Sequence, residues 1–358
     1  MGVEGESVPL HGTASHIAGA YVRHASPLRK VEPALFPQEE IFMSPIRRLA
    51  LAMAFLTALP LASSQAAAQA PHRAILRAKL VQELTKISDS FDGVLGVEVV
   101  DLTDSSRIGV NQELVFPQGS AIKIPVLIEL FRRADREPAL LGTRHSIAKS
   151  TRTGGSGVLQ FFSDGGSELS NEDLAILMVT LSDNGATNLL IDALGMDSVN
   201  HTMSALGLKQ TRLQRRMITP AASARGDENI STPAEAADVM ARLSRCTLPL
   251  SRSSCERVRE ILELPKSEPV RSVIPDDIPV ASKPGGITGV ATSWALVELP
   301  DRPFVITVMT NYGGGDGDEA IRQAARAAFE YFTRLQRSTP YGTRVPHAVF
   351  EAEKGGRR

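Results

Sequence analysis

The 358-residue sequence lacks an excess of either charge, since it has 39 Lys and Arg residues against 40 Asp and Glu residues. A chain with a formal net charge of −1 has no electrostatic reason to bind nucleic acid. It also lacks metal-ligand clusters, because neither the seven histidines nor the two cysteines follow a ligand spacing. We therefore expect no metal, no cofactor and no nucleic-acid partner, and we expect a monomer that binds a small molecule.

Cysteine is scarce, and the two residues of this type are Cys246 and Cys255. In an oxidising compartment they could form a local disulfide. Two separate buried thiols fit the sequence as well, so both alternatives remain open. Neither alternative suggests a catalytic cysteine.

The apolar run at residues 49–62 is too short to span a bilayer comfortably. It follows two arginines and precedes an alanine-rich stretch, which is the pattern of a secretory signal peptide. We predict a signal peptide over residues 43–70 that begins at Met43, and a mis-called extension over residues 1–42. The protein is then secreted or periplasmic, with no membrane span after cleavage. The alternative is an unstructured segment before an internal apolar helix.

Hydrophobic periodicity predicts strands near both ends of the mature chain and helices between them. The predicted strands cover residues 94–101, 107–111, 280–283, 292–298 and 304–310. Because sequence-distant strands can join one antiparallel sheet, the pattern indicates an α+β fold, in which terminal helices flank the sheet and an all-helical lobe packs beside it.

The predicted lobes follow from the same pattern. Residues 71–138 and 270–336 form the α/β lobe, and residues 139–269 form the helical lobe. Residues 337–358 are polar, basic and without periodicity, which predicts a disordered tail.

The first candidate catalytic motif is Ser120-Ala-Ile-Lys123, which follows a turn and opens an apolar helix. A serine at a helix start has a free N–H and a positive local potential, which favour an oxyanion. A lysine one turn later can reach the serine hydroxyl. The alternative is that Ser120 only caps the helix. A second copy of the pattern, Ser146-Ile-Ala-Lys149, is interpreted as a chance match.

Two more short motifs follow, Ser182-Asp-Asn184 between apolar helices and Lys283-Pro-Gly285 at the end of a strand. Each alone could be a turn or a cap. The order S-x-x-K, S-D-N and K-T-G is a signature of penicillin-recognising serine enzymes, so the combination is far more specific than any one motif.

With these motifs the chain resembles the class A β-lactamases, within the penicillin-recognising serine hydrolases. The resemblance covers about residues 75–335 and includes the Thr-Arg-Leu segment at 211–213. It implies a β-lactamase/transpeptidase-like fold and acyl transfer on a β-lactam or a peptidoglycan stem peptide.

The resemblance also implies the role of each site residue. Lys123 takes the proton of the Ser120 nucleophile, and Ser182 passes a proton to the leaving nitrogen. The implied substrate-binding residues are Asn184, Lys283 and Gly285, and the implied oxyanion hole consists of the N–H groups of Ser120 and Gly286.

The sequence departs from the family at Pro284, where the family has Thr or Ser. The substitution removes a hydroxyl expected to bind the substrate carboxylate. It also removes an N–H, which a strand edge facing the cleft tolerates.

A larger departure concerns deacylation. Met217 stands where the family has the Glu that activates the hydrolytic water, and Ala221 stands where it has an Asn. Ile230 replaces an aspartate that pins this loop to an arginine, here Arg215, so the loop anchor is also predicted to be lost. Glu228 is interpreted as part of a solvated turn.

Three hypotheses follow from these observations. The chain could be a β-lactam hydrolase with impaired deacylation, or a peptidoglycan D,D-peptidase or penicillin-binding protein that acylates and turns over slowly. It could also be a non-catalytic sensor of β-lactam or peptidoglycan, although a pure binder needs no nucleophile.

Overall fold

The computed structural model describes residues 72–339 and 341–355. The predicted extension and signal peptide, residues 1–42 and 43–70, lie outside the described residues. Within the described ranges, no helix combines the length and the apolar character needed to cross a membrane.

Nine strands occur in the described part of the chain. In chain order they are β1 (Val94–Asp101), β2 (Arg107–Val110), β3 (Phe116–Pro117), β4 (Arg144–Ser146), β5 (Glu168–Ser170), β6 (Ile230–Ser231), β7 (Val280–Ile287), β8 (Val290–Val297) and β9 (Phe304–Asn311). Five of them form one antiparallel sheet in the order β2-β1-β9-β8-β7, and two short pairs, β3-β6 and β4-β5, lie outside it.

The α-helices, together with a few short 3-10 turns, account for the rest of the regular structure of the described residues. In chain order they are α1 (72–90), α2 (Lys123–Ala134), α3 (Asn171–Thr180), α4 (Asn184–Leu194), α5 (Met196–Ala205), α6 (Pro220–Ala224), α7 (Pro233–Ser244), α8 (Arg252–Glu263), α9 (Gly317–Leu335) and α10 (His347–Gly355). The predicted α+β fold is confirmed.

The two ends of the chain meet in the sheet, where β1 pairs with β9 along its whole length. The central strands are rich in Val and Ile because both faces of the sheet are buried. One face packs on α1 and α9 through side chains such as Leu84 and Phe332. The other face packs on the helical region from α2 to α8. The core that they share includes Ile128 of α2 and Trp294 of β8.

Strand β7 is longer than predicted, because it continues from Lys283 through Pro284 to Ile287. It is one of the two edge strands of the sheet and pairs only with β8 among the described strands. A proline whose nitrogen faces the open edge removes no ladder bond, so Pro284 does not end the strand.

Two further features complete the chain. The prediction of a disordered tail over residues 337–358 is wrong for residues 347–355, which form α10. A short bridge between Ser338 and Arg344 precedes it, and the Arg344 guanidinium donates to the Thr333 carbonyl at 2.8 Å. The two cysteines form a disulfide that joins the end of α7 to α8.

Candidate active site

The candidate nucleophile, Ser120, lies in a 3-10 turn over residues Gly119–Ile122, directly before α2. Gly119 has φ +50°, and a Cβ on it would lie 2.7 Å from the Gly286 nitrogen. A Cβ on Gly285 would lie 2.2 Å from the Gln118 carbonyl oxygen. Glycine is needed at both positions because the turn and β7 touch through their backbones. This contact brings half-buried Ser120 beside Gly286.

Lys123 is fully buried at the start of α2. Its amine lies 2.7 Å from the Ser182 carbonyl oxygen and 3.0 Å from Asn184 Oδ1, which can only accept, and 3.0 Å from Ser182 Oγ, which can donate as well as accept. Burial, and next the charge of Lys283, lower the pKa of Lys123 well below its ordinary value, while Asp183 raises it. The arrangement favours a neutral amine that can accept a proton.

Ser182 lies between the two lysines, since its Oγ is 3.0 Å from the Lys123 amine and 3.2 Å from the Lys283 amine. Its φ of +52° lies in the left-handed region, which is strained for a serine. Asp183 stabilises this turn, because one carboxylate oxygen caps α4 at Ala186 N and the other accepts from Val158 N and Leu159 N. The strained turn therefore aims the Ser182 hydroxyl at both amines.

Asn184 begins α4 and ties the site to the segment that precedes Val158. Its Oδ1 accepts from Lys123, and its Nδ2 donates to the Gly154 carbonyl at 3.0 Å. Its backbone N–H donates to the Ser156 carbonyl at 3.1 Å. One amide N–H of the side chain thus has a protein acceptor, and the second can serve a substrate carbonyl.

Lys283 is fully buried in β7, and its amine also donates to the Pro284 carbonyl at 2.8 Å. Burial, and next the charge of Lys266, lower its pKa to about 7, while Glu268 raises it. The sequence analysis did not single out Lys266 or Glu268, since neither belongs to a motif. Near neutral pH the Lys283 side chain is therefore present both as the ammonium and as the neutral amine, and an anionic ligand would favour the ammonium.

Met217 belongs to the apolar core of the helical region, and its side chain is 6% exposed. Asn188 holds its backbone, since Oδ1 accepts from Met217 N at 2.8 Å and Nδ2 donates to Met217 O at 3.2 Å. Ile218 is half exposed with φ +54°, which is rare for a β-branched residue. Ala221 is exposed. The side chains at 217 and 221 thus supply no base and no amide for a hydrolytic water.

The predicted loss of the loop anchor is wrong. The Arg215 guanidinium pairs with the Glu228 carboxylate at 2.7 Å, and both side chains are largely buried. Asn229 also accepts from the N–H groups of Gln214 and Arg215 at 2.8 and 3.0 Å. Ile230 pairs with Arg212 through the backbone instead. The loop is thus anchored by Glu228 and Asn229, two residues and one residue before the expected position 230. Glu228 is therefore not part of a solvated turn.

The second S-x-x-K copy lies apart from this network. Ser146 ends β4 and Lys149 follows it, and both side chains are exposed. The structure thus gives that copy no buried amine of the kind seen at Lys123.

Comparisons with known proteins find relatives of this chain in sequence and in fold. The model of the β-lactamase enzyme family matches residues 79–332. β-Lactamase L2 of Stenotrophomonas maltophilia is 29% identical over 54% of this chain, and the match spans 64% of its length, slightly less than two thirds. The crystal structure of a β-lactamase from Sphaerobacter thermophilus is 30% identical, with a TM-score of 0.64 over 71% of this chain and 97% of that chain.

A variant of PBP-A, solved as its acyl-enzyme complex with penicillin G, is also similar. It is 25% identical, with a TM-score of 0.65 over 73% of this chain and 97% of that chain. The family match covers well over half of the sequence, and the structural likeness extends over nearly the whole of both solved folds. The chain therefore belongs to the class A serine β-lactamase family.

Proposed function

We propose that this protein forms an acyl-enzyme on Ser120 with β-lactams or related acyl-D-Ala amides, and hydrolyses that intermediate slowly. One observation carries the proposal: the buried Lys123 amine contacts Ser182 Oγ and Asn184 Oδ1, and bonds to no carboxylate in the described part of the chain. An amine in this environment can be neutral, and a neutral amine is the base that a serine nucleophile needs.

The proposed acylation uses the residues of this cluster in the following order. The Lys123 amine takes the proton from Ser120 as Oγ attacks the carbonyl carbon. The oxyanion that forms is stabilised by the N–H groups of Ser120 and Gly286, each worth about 3 kcal/mol in the transition state. The C–N bond breaks, and Ser182 gives its proton to the leaving nitrogen while it recovers a proton from Lys123.

Substrate binding is assigned to Lys283, Gly285 and Asn184. The Lys283 ammonium pairs with the substrate carboxylate beside Gly285, and the free N–H of Asn184 binds the acyl amide. Pro284 supplies no hydroxyl there, so Lys283 carries the larger part of carboxylate recognition.

Slow deacylation is the second element of the proposal. A water that attacks the ester needs a nearby base, and position 217 offers a methionine buried in the core instead. Ala221 cannot hold the water in its place. The anchored loop supports the fold of this region, and it does not provide the missing chemistry.

The absence of a base at position 217 also favours a second candidate, a peptidoglycan D,D-peptidase or penicillin-binding protein that acylates and turns over slowly. The likeness to PBP-A, whose variant was captured as a penicillin acyl-enzyme, supports it. For either function we propose export through a signal peptide beginning at Met43, and a monomer in solution.

One experiment distinguishes these candidates. The purified protein is incubated with fluorescent penicillin, and both retention of the label and hydrolysis of a chromogenic cephalosporin are followed. Label that persists with little hydrolysis supports slow deacylation, and fast hydrolysis supports an efficient β-lactamase. Absence of label supports a non-catalytic sensor. The Ser120→Ala variant is the control, and label that survives in it would refute the assignment of the nucleophile.

A further inference from the structure

Gln118 is a fully buried polar residue, two positions before the nucleophile, that no step above uses. Its Oε1 accepts from the Trp294 indole N–H at 2.9 Å, and its Nε2 donates to the Phe116 carbonyl at 2.9 Å. The same Nε2 lies 3.1 Å from Met309 Sδ. Both ends of the amide are engaged, so the side chain is held in one orientation against β8 and β9.

The backbone of Gln118 is fixed as firmly as its side chain. Its N–H donates to the Asn229 carbonyl at 2.8 Å, where the anchored loop ends. Its carbonyl accepts from Thr292 Oγ1 at 2.9 Å and from Ala121 N at 3.1 Å. Gln118 thus joins the sheet, the loop and the turn that carries the nucleophile.

This junction lies where the nucleophile turn rests against β7. The Gln118 carbonyl is the atom that a Cβ at Gly285 would meet first, and the Gly119 backbone lies against the Gly286 nitrogen. A displacement of Gln118 would therefore change the separation between the N–H groups of Ser120 and Gly286.

We propose that Gln118 is a positioning residue for the oxyanion hole. Its hydrogen bonds to the sheet hold the turn at the distance from β7 at which both N–H groups face one developing oxyanion. The inference rests on the proposed acylation of Ser120. Since a misplacement of about 1 Å lowers catalytic rates about 100-fold, loss of this network reduces the acylation rate constant about 100-fold. Ground-state binding through Lys283 changes little.

The test measures the acylation rate constant and the dissociation constant separately, from the dependence of labelling rate on the concentration of fluorescent penicillin. Gln118→Met keeps the side-chain volume and removes the amide. Thr292→Val removes the hydroxyl that donates to the Gln118 carbonyl at 2.9 Å and that has a longer contact, at 3.4 Å, with the Gly285 carbonyl. Thr202→Val is the matched control, because it deletes a buried hydrogen bond from α5, a helix without site residues, to Glu129, which lies in the middle of α2 and is not part of the site. Thermal unfolding of each variant measures its stability.

We expect Gln118→Met to acylate about 100-fold more slowly and Thr292→Val about tenfold more slowly, with dissociation constants within about threefold of the parent protein. The control should lose stability and keep its acylation rate. Parent-like acylation by folded Gln118→Met overturns the inference. Where that variant does not fold, parent-like acylation by Thr292→Val overturns it. An unlabelled parent protein refutes the proposed function itself, and this inference with it. A labelled parent with unaffected variants refutes the inference alone.

Discussion

Raising the pH from about 6 to about 9 should weaken the binding of a β-lactam carboxylate, because the proton on Lys283 is lost in this range. The pKa of Lys283 is lowered to about 7, first by burial and then by the charge of Lys266. A carboxylate pairs with the ammonium form and gains little from a neutral amine. Binding is therefore linked to one proton on this side chain.

The direction and size of the effect follow from that linkage. Below about pH 7 the free protein already carries the ammonium, so the dissociation constant is nearly independent of pH. Above about pH 7 the protonated fraction falls about tenfold for each pH unit. The apparent dissociation constant then rises about tenfold for each unit, or about 1.4 kcal/mol, until the pKa of the bound state is reached.

The assay is equilibrium binding of benzylpenicillin to the Ser120→Ala variant, which removes the covalent step, measured by calorimetry across this pH range. The methyl ester of benzylpenicillin, which has no carboxylate, is the matched control ligand. A pH effect that acts through Lys123 appears for both ligands, whereas one that acts through Lys283 appears for the acid alone. Replacing Lys266 with Gln removes a neighbouring positive charge, so the midpoint should move upward. A pH-independent dissociation constant for the acid, or a downward shift in the Lys266→Gln variant, would refute this reasoning.

Three further predictions concern the loop and the fold. Met217→Glu should accelerate deacylation by less than about tenfold in burst kinetics, because the side chain enters an apolar core and Ala221 cannot orient a water; a gain of several hundredfold would contradict this. Arg215→Ala should lower the free energy of unfolding in urea by about 1–3 kcal/mol, because it leaves the largely buried Glu228 carboxylate without its partner. Glu228→Gln should lower it less, because the amide oxygen can still accept from Arg215. Equal losses would contradict the geometry of this ion pair. Cys255→Ala should lower it by about 2–3 kcal/mol, since the disulfide closes a loop with sequence separation 9, and reductant should not destabilise that variant further.

Sequence periodicity was sufficient for the sheet, because strands such as β1 and β9 are rich in Val and Ile and buried over nearly their whole length. It was insufficient where a strand carries polar or unusual residues. β7 continues past Pro284 because edge position, and not residue propensity, decides whether a proline fits. α10 was missed because its sequence is short and polar, and the contacts that precede it join residues such as Arg344 and Thr333.

The site was predictable to the extent that it lies in motifs. Short patterns predicted Ser120, Lys123, Ser182 and Lys283 as site residues. The structure places Ser182 Oγ within hydrogen-bond distance of the Lys123 and Lys283 amines, and it places the turn that carries Ser120 against β7. The Arg215–Glu228 pair was missed because the alignment compared only the residue at position 230, where the family has an aspartate. In the structure the carboxylate that pairs with Arg215 comes from position 228 instead. Gln118 lies between Pro117 and Gly119 in a sequence typical of a turn, so nothing local indicated that its side chain is buried and bonded to Trp294.

The most direct test of the account is intact-protein mass spectrometry during incubation with penicillin G, followed by peptide mapping. The account predicts one added penicillin mass on the peptide that contains Ser120, formed rapidly and still present long after free penicillin is removed. An unchanged mass, an adduct on another peptide, or an adduct lost as fast as it forms would contradict it.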